Sequence, residues 1–328
     1  MKKVFFFKDI NMLYDVLSNF NIQSFSNKTV PLKLHMGEMK NKYFVKPDMV
    51  KHVVDVLKKF DVKPFLFDTT VAYQAPRHYK KGYEKIAGIH GFSNKKIGCD
   101  VVIDDKGFNV TIGNHDYEVA EHIYRSSHIF GLSHVKGHIS TGMGGAIKNF
   151  GMGGVTKETK KEIHDGSSPV YNVDNCTYCG VCAEVCPFNA LEVTKNKWKQ
   201  NPGKCFGCGV CVNNCKENAL SFSDIDLQHN IATAAKAVVQ NKNAIYLNEL
   251  KRISKNCDCV PNGGPIICPD IGYLVSDDPV AVDKASLDLI HSVKPDVFEK
   301  ENSINPIKQI EYGEEIGLGS SSYELIRI

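Results

Sequence analysis

The stretch from Cys176 to Cys215 constrains this chain more than any other. It reads CTYCGVCAEVCP and, further on, CFGCGVCVNNCK. Each half is Cys-x-x-Cys-x-x-Cys-x-x-x-Cys, and Pro187 follows the last cysteine of the first half. Bacterial ferredoxins hold cubane iron–sulfur clusters with this spacing. Two tight turns set three thiolates around one face of a cube, and the fourth cysteine crosses to the other cluster. The spacing therefore predicts two [4Fe-4S] clusters. Cys176, Cys179, Cys182 and Cys215 would hold one, and Cys205, Cys208, Cys211 and Cys186 the other. VDNCTYCGVCAEVCPFNALEV aligns without gaps on PGKCFGCGVCVNNCKENALSF, so the halves are an internal repeat. Paired zinc knuckles are the alternative use of Cys-x-x-Cys. Four cysteines in each half and a repeated loop favour clusters. Lys216 stands where the second half would carry the matching proline, which removes no ligand.

The chain has 328 residues, 42% of them hydrophobic, enough for a large domain and a small one. A net charge of +3 gives no case for nucleic acid or an anionic membrane as partner. No apolar run reaches the roughly 18 residues of a spanning helix. The opening MKKVFFFKDINMLYDVL lacks a long apolar core and a small-residue cleavage site, so no signal peptide is read. Twelve cysteines used mostly as thiolate ligands imply a reducing, cytoplasmic compartment.

Taken in order, the chain alternates helical and extended patterns. LKLH is extended, Pro47 opens a helix with Val50, Val53, Val54 and Leu57 at helical spacing, and Pro64–Asp68 is a short apolar strand. Such alternation implies α/β layering, with ligands gathered at the carboxyl ends of strands. Asp68, Thr69, Tyr73 and Arg77 are thus cleft candidates, although an aspartate there also suits a cap or turn. Residues 100–104 and 109–113 read as strands joined by the turn DDKG. Leu132–Ile139 reads as one strand, which puts His134, Lys136 and His138 on a single face. Three polar groups on one face point to anion binding, metal ligation or proton transfer rather than to a core. The following TGMGGAIKNFGMGG lacks both phosphate-loop and dinucleotide spacing. Its glycines serve either close approach to a ligand, beside Lys148 and Asn149, or tight helix packing. His164 precedes the cysteine repeat and is a further cleft candidate. After the repeat come a helix over 226–240, a strand over 243–247 and the loop NCDCVPNGGPIICPDIG. Cys257, Cys259 and Cys268 in that loop are a candidate third metal site, with inert buried thiols as the alternative. Cys99 fits no pattern and is expected to be buried. Asp278 before Pro279 starts a last long helix, and IGLGSSSYELIRI closes the chain as a small element.

Several of these blocks match one family. KLHMGE, PFLFDTT, SHVKGHISTGMGGAIKNFGMG, the two cysteine runs, CDC with CPDIGYLVSDDPVAVDKASLDLI, and EIGLGSSSYEL resemble the uncharacterised iron–sulfur centre proteins of domain-of-unknown-function family 362. The resemblance implies an α/β domain interrupted by a ferredoxin-type insert, and it supplies no reaction. It carries over His35, Glu38, Asp68, Arg77, His134, Lys136, His138, Lys148, Asn149, His164, Cys257, Cys259, Asp270 and Asp278, whose roles are read from residue type. The expected architecture is a discontinuous layered α/β domain, 1–168 and 224–328, carrying an inserted α+β two-cluster module at 169–223. The expected function is an iron–sulfur oxidoreductase reducing a small, anionic molecule, supplied by a redox partner protein. His134, Lys136, His138 and Lys148 would be catalytic, and His35, Glu38, Asp68, Arg77, Asn149 and His164 would bind substrate. A non-catalytic electron carrier or metallocentre-assembly partner is the second expectation.

Overall fold

Lys2–Phe7 is apolar on both sides of its pleat, as a strand covered on both faces must be. Val4 and Phe6 enter one hydrophobic core, while Phe5 and Phe7 enter a second. Phe65 and Phe67 likewise face the first core, and Leu66 the second. This period of two sets a three-layer plan in the computed structural model, which describes residues 1–222 and 226–328. The predicted boundary between Ser223 and Asp224 lies outside the described residues.

The central sheet has eight strands in the order Tyr323–Arg327, Lys2–Phe7, Gly272–Ser276, Asn243–Leu250, His128–His134, Thr29–Lys33, Lys63–Thr69 and Val101–Asp104. Gly272–Ser276 runs antiparallel to both neighbours, and the other adjacent pairs are parallel. The helix Pro47–Lys59 covers one face with Val50, Val53, Val54 and Leu57. Pro47 fits its first turn, and Lys58 and Lys59 suit the negative end of its dipole. The other face carries Ala146–Gly153, Leu227–Val239, Pro279–Val293 and Ile307–Glu315. No helix among the described residues is long and apolar enough to cross a membrane.

Two expectations are corrected. Val101–Asp104 joins the central sheet beside Lys63–Thr69, while Gly107–Ile112 pairs with His115–Ala120 in a separate hairpin. The two-residue turn at Gly113 and Asn114 closes that hairpin, so DDKG is a connection between sheets. The predicted strand over 132–139 is broken: His128–His134 stays in the sheet, and Lys136–His138 pairs with Gly142–Gly144 instead. The small closing element is the edge strand Tyr323–Arg327, paired with Lys2–Phe7.

Asp278 caps the helix Pro279–Val293. Its Oδ1 accepts the N–H groups of Val280 and Ala281 at 2.9 Å, and its Oδ2 accepts Ser320 N–H at 3.1 Å. Asp278→Ala is expected to lower stability by about 1–2 kcal/mol, read as a shifted denaturant midpoint at unchanged slope. An effect within experimental error would sink the capping role.

The repeated cysteine halves fold alike. Each loop turns through a left-handed glycine, Gly180 or Gly209, into a one-turn helix, Val181–Glu184 or Val210–Asn213. Asn189 and Asn218, equivalent in the repeat, also share a positive φ. Pro169–Tyr171 pairs with Leu220–Phe222, and Leu191–Thr194 with Lys197–Gln200.

Candidate functional site

The strand order reverses between Thr29–Lys33 and His128–His134. In open α/β sheets such a reversal leaves a crevice beyond the carboxyl ends of the strands. Charged side chains collect there. Lys33, at the end of its strand, is buried and lies 3.0 Å from Asp68. Asn149 bridges the reversal: its Oδ1 accepts from Lys33 Nζ at 2.7 Å, and its Nδ2 donates to Leu132 O and Ser133 Oγ. Asp68 also accepts from the Tyr83 hydroxyl. Lys160, from the helix Lys157–Asp165, donates to Thr69 Oγ1 and Thr70 O.

Arg77 is wholly buried. Its Nε donates to Glu38 at 2.8 Å, one terminal nitrogen lies 2.8 Å from His35, and the other meets the Tyr73 hydroxyl. The single hydroxyl proton of Tyr73 has two acceptors in reach, Cys259 O at 2.9 Å and Glu38 Oε2 at 3.1 Å. His134 has both ring nitrogens engaged, Nδ1 on Asp258 at 2.9 Å and Nε2 on Lys251 O at 2.8 Å. Neither is left for a substrate or a metal. Lys136 donates to His134 O and lies 3.6 Å from Asp258. His138 accepts from Ser140 N–H at 3.1 Å.

Lys148 forms no ion pair among the described residues, and its stem packs beside Gly144. The helix that carries it, Ala146–Gly153, is capped from across the fold. Asp283 accepts the N–H groups of Ala146 and Ile147 at 2.7 and 2.8 Å. Any side chain at Gly145 would collide with that carboxylate. The tight-packing reading of the glycine run applies, since Gly151 packs against Ile231 of the helix Leu227–Val239.

Five cationic side chains, Lys33, Arg77, Lys136, Lys148 and Lys160, thus outnumber the carboxylates of Glu38, Asp68, Asp258 and Asp283. Their mutual fields show in their proton affinities. Burial, reinforced by Lys33, Arg77 and Lys148 against the pull of Asp68, lowers Lys160 to about 7. Burial also lowers Lys33. Burial pulls Lys136 down too, but Asp258 and the thiols of Cys257 and Cys259 outweigh it and hold it above its ordinary value. Burial with Arg77 and Lys136 drives His35 well below the usual range, and burial with Lys148 and Lys136 does the same to His138. Asp283 is raised to about 6 by burial.

The loop after Asn243–Leu250 folds back on itself. Ser254 and Ile266 pair across it, with Cys257 and Cys259 at the tip and Cys268 at the base. His138, Cys257 and Cys259 bring one ligand atom each to within 4.8 Å of one another. The sequence grouped Cys268 with this pair. The pairing turns Cys268 into the hydrophobic core instead, and His138 takes its place. Cys99 is buried as expected. Asp270 is exposed at the loop base and accepts Arg252 N–H, away from the cluster of charges. His164 packs 4.5 Å from the Phe206 ring, and its Nδ1 is buried with no hydrogen-bond partner among the described residues.

Cys186, Cys205, Cys208 and Cys211 line one small cavity with Pro187, Phe188 and Phe206. The donors are four thiols, one of them from the other half of the repeat. Burial and the neighbouring thiols raise Cys208 to about 11 and Cys211 to about 12. Four such thiols ionise together only around a cationic group, the donor chemistry of a metal centre. Phe206, next to Cys205, reaches out of this cavity to within 5.6 Å of the Tyr73 ring. Gly207 has φ +54°, and a Cβ there would strike His164 O at 2.0 Å. The cysteine loop thus seats directly on the charged crevice.

Residues 30–288 match the family described as domain of unknown function DUF362. The chain belongs to this family. No curated protein matches it. Among solved structures it is similar to the lactate racemase apoprotein from Thermoanaerobacterium thermosaccharolyticum, at 10% identity and a TM-score of 0.36. That match covers 76% of this chain and 50% of the racemase, so the chain spans about half the racemase's length. It is also similar to a protein from Thermotoga maritima, at 9% identity and a TM-score of 0.40, over 90% of this chain and 59% of that one. Both likenesses are too distant to inform the reaction. In this DUF362 protein, sequence alone missed Lys33, Tyr83, Lys160, Asp258 and Asp283. Lys160 lies in ETKKEIH, which reads as a solvated helix face, and Asp258 lies between two singled-out cysteines.

Proposed function

We propose that this DUF362 protein is an iron–sulfur oxidoreductase that reduces a small anionic molecule in the crevice of its α/β domain. In this reading 1–168 and 224–328 form that domain, and 169–223 is a two-cluster ferredoxin-type insert. The cavity shared by Cys186, Cys205, Cys208 and Cys211 carries the reading, because crossing of the fourth cysteine distinguishes this insert from paired zinc knuckles. Bound [4Fe-4S] clusters supply one-electron transfer. Seating of Phe206 against Tyr73 and His164 supports delivery into the crevice rather than to a distant surface. The cations gathered at the crevice, Lys148 among them without an ion-pair partner among the described residues, support an anion there. Lys33, Lys148 and Lys160 would bind it, and Lys160, poised near neutrality, would hold or release a proton. Arg77 and His134 are tied to Glu38 and Asp258 and would position rather than react.

The test is anaerobic. About eight irons and about eight sulfides per chain are expected, with cluster reoxidation accelerated by at least one member of a panel of small carboxylates, phosphates and oxyanions. Full clusters with reoxidation indifferent to the whole panel would favour the electron carrier.

Anion binding is expected to depend on pH through Lys160. Its ammonium form is half populated near pH 7, fills as pH falls below that and is lost as pH rises above it. Affinity for an anion should hold below pH 7 and weaken by up to about tenfold per unit above it. Calorimetry in two buffers of different ionisation enthalpy should register proton uptake on binding near pH 8. Equal heats in both buffers would remove Lys160 from the site.

A further inference from the structure

We infer that His138, Cys257 and Cys259 form a mononuclear site for a borderline-soft divalent cation, with a fourth coordination position open to an anion. The open position deepens the anion-site reading above and rests on it; the metal itself does not.

The three donors come from two separate segments, the short strand Lys136–His138 and the tip of the folded-back loop. Their ligand atoms lie within 4.8 Å of one another. Zinc–sulfur bonds of about 2.3 Å and zinc–nitrogen bonds of about 2.0–2.1 Å call for a slightly tighter set, within reach of small side-chain shifts. The loop tip is already shaped to chelate. Cys259 N–H points at Cys257 Sγ at 3.4 Å. The intervening Asp258 turns its carboxylate away, onto His134 and Lys136. Glu38 N–H holds Asp258 O at 2.8 Å, and Tyr73 holds Cys259 O at 2.9 Å. The backbone that carries the two sulfurs is thus held from outside by Glu38 and Tyr73, the outer-shell support that metal ligands need. Binding has one cost. A ligating neutral imidazole keeps no free acceptor, so the metal displaces the hydrogen bond from Ser140 N–H.

Ligand type selects the ion. Two thiolates and an imidazole suit zinc, cobalt or ferrous iron and reject magnesium and calcium. Ligand number selects the role. Structural zinc sites are closed by four protein ligands, whereas three leave a position for water or substrate. No fourth histidine, cysteine or carboxylate joins this group among the described residues. Cys257 is buried and Cys259 is partly exposed, so access is from the Cys259 side. Lys136 and Lys148 both pack beside Gly144, on the short strand paired with the one that carries His138. The ligand in the open position is accordingly an anion.

The test uses the full chain with its iron present, loaded anaerobically with zinc. Iron and sulfide counts read the cysteine repeat; zinc K-edge absorption reads this site alone. The expected result is one zinc per chain with two sulfur scatterers, one imidazole and one light atom. Added bromide should replace the light atom with a heavy scatterer. Cys257→Ser and Cys259→Ser should each weaken zinc binding more than tenfold, while Cys268→Ser leaves it unchanged. Absence of zinc from the iron-replete wild-type chain would overturn the site whatever the variants do. A sulfur count of three, with zinc lost in Cys268→Ser, would overturn this ligand set. Four sulfurs would move the zinc to the repeat and overturn it too. Failure to bind bromide at a two-sulfur zinc would overturn the open position. Lost clusters with zinc still on two sulfurs would refute the iron–sulfur reading and leave this one standing.

Discussion

Arg77→Met lowers the unfolding free energy by about 3–5 kcal/mol, the range for breaking a buried ion pair. Arg77 is fully enclosed and serves Glu38, His35 and Tyr73 at once, with its guanidinium 5.1 Å from the centre of the Tyr83 ring. Methionine fills much of the volume, so the loss is mainly electrostatic: the Glu38 carboxylate stays buried, with Tyr73 and its neighbour's N–H as remaining partners. Glu38→Gln added to Arg77→Met removes that stranded charge and should recover a large part of the loss. The measurement is a double-mutant cycle on denaturant midpoints. Strict additivity, or a single-variant loss below about 1 kcal/mol, would mean the pair is hydrated rather than buried.

On the proposed two-cluster reading, Cys186→Ser should halve the bound iron, from about eight to about four atoms per chain. The informative comparison is between double variants. Cys186 lies in the first half of the repeat but lines the cavity of Cys205, Cys208 and Cys211. Cys186→Ser with Cys205→Ser should therefore keep about four irons, because both residues serve one cluster. Cys186→Ser with Cys176→Ser should lose nearly all of them. The reverse pattern would restore the sequence-adjacent grouping and sink the crossed ligation.

Much of the fold was legible because local rules decided it. The helix Pro47–Lys59 announces itself by proline at its start and valines at helical spacing. Asp278 and Pro279 mark the next helix start on the same grounds. Strand partners were less legible. Residues 107–112 and 101–104 are neighbours in sequence and belong to different sheets: the first pairs locally with 115–120 across the turn at Gly113 and Asn114, and the second with the distant 63–69. The strand written across 132–139 failed for a related reason. Period two continues through Val135, but Lys136–His138 leaves the sheet for Gly142–Gly144.

The site divides in the same way. The spacing of the first three cysteines in each half is a local constraint, since loop geometry sets which thiolates can share one face of a cube; the sequence by itself therefore determined the candidate cluster ligands and the helix starts at Pro47 and Asp278. Cys268 and Cys257 look equivalent in the loop, and only the Ser254–Ile266 pairing sends one to the core and the other to its tip beside His138. A lysine such as Lys160 reads as a solvated charge until the fold buries it beside Lys33, Arg77 and Asp68. Whether a charge is paired, stranded or poised depends on the field at its buried position. That field is summed over residues from every crossover that ends at the crevice, and so only the tertiary structure decides it.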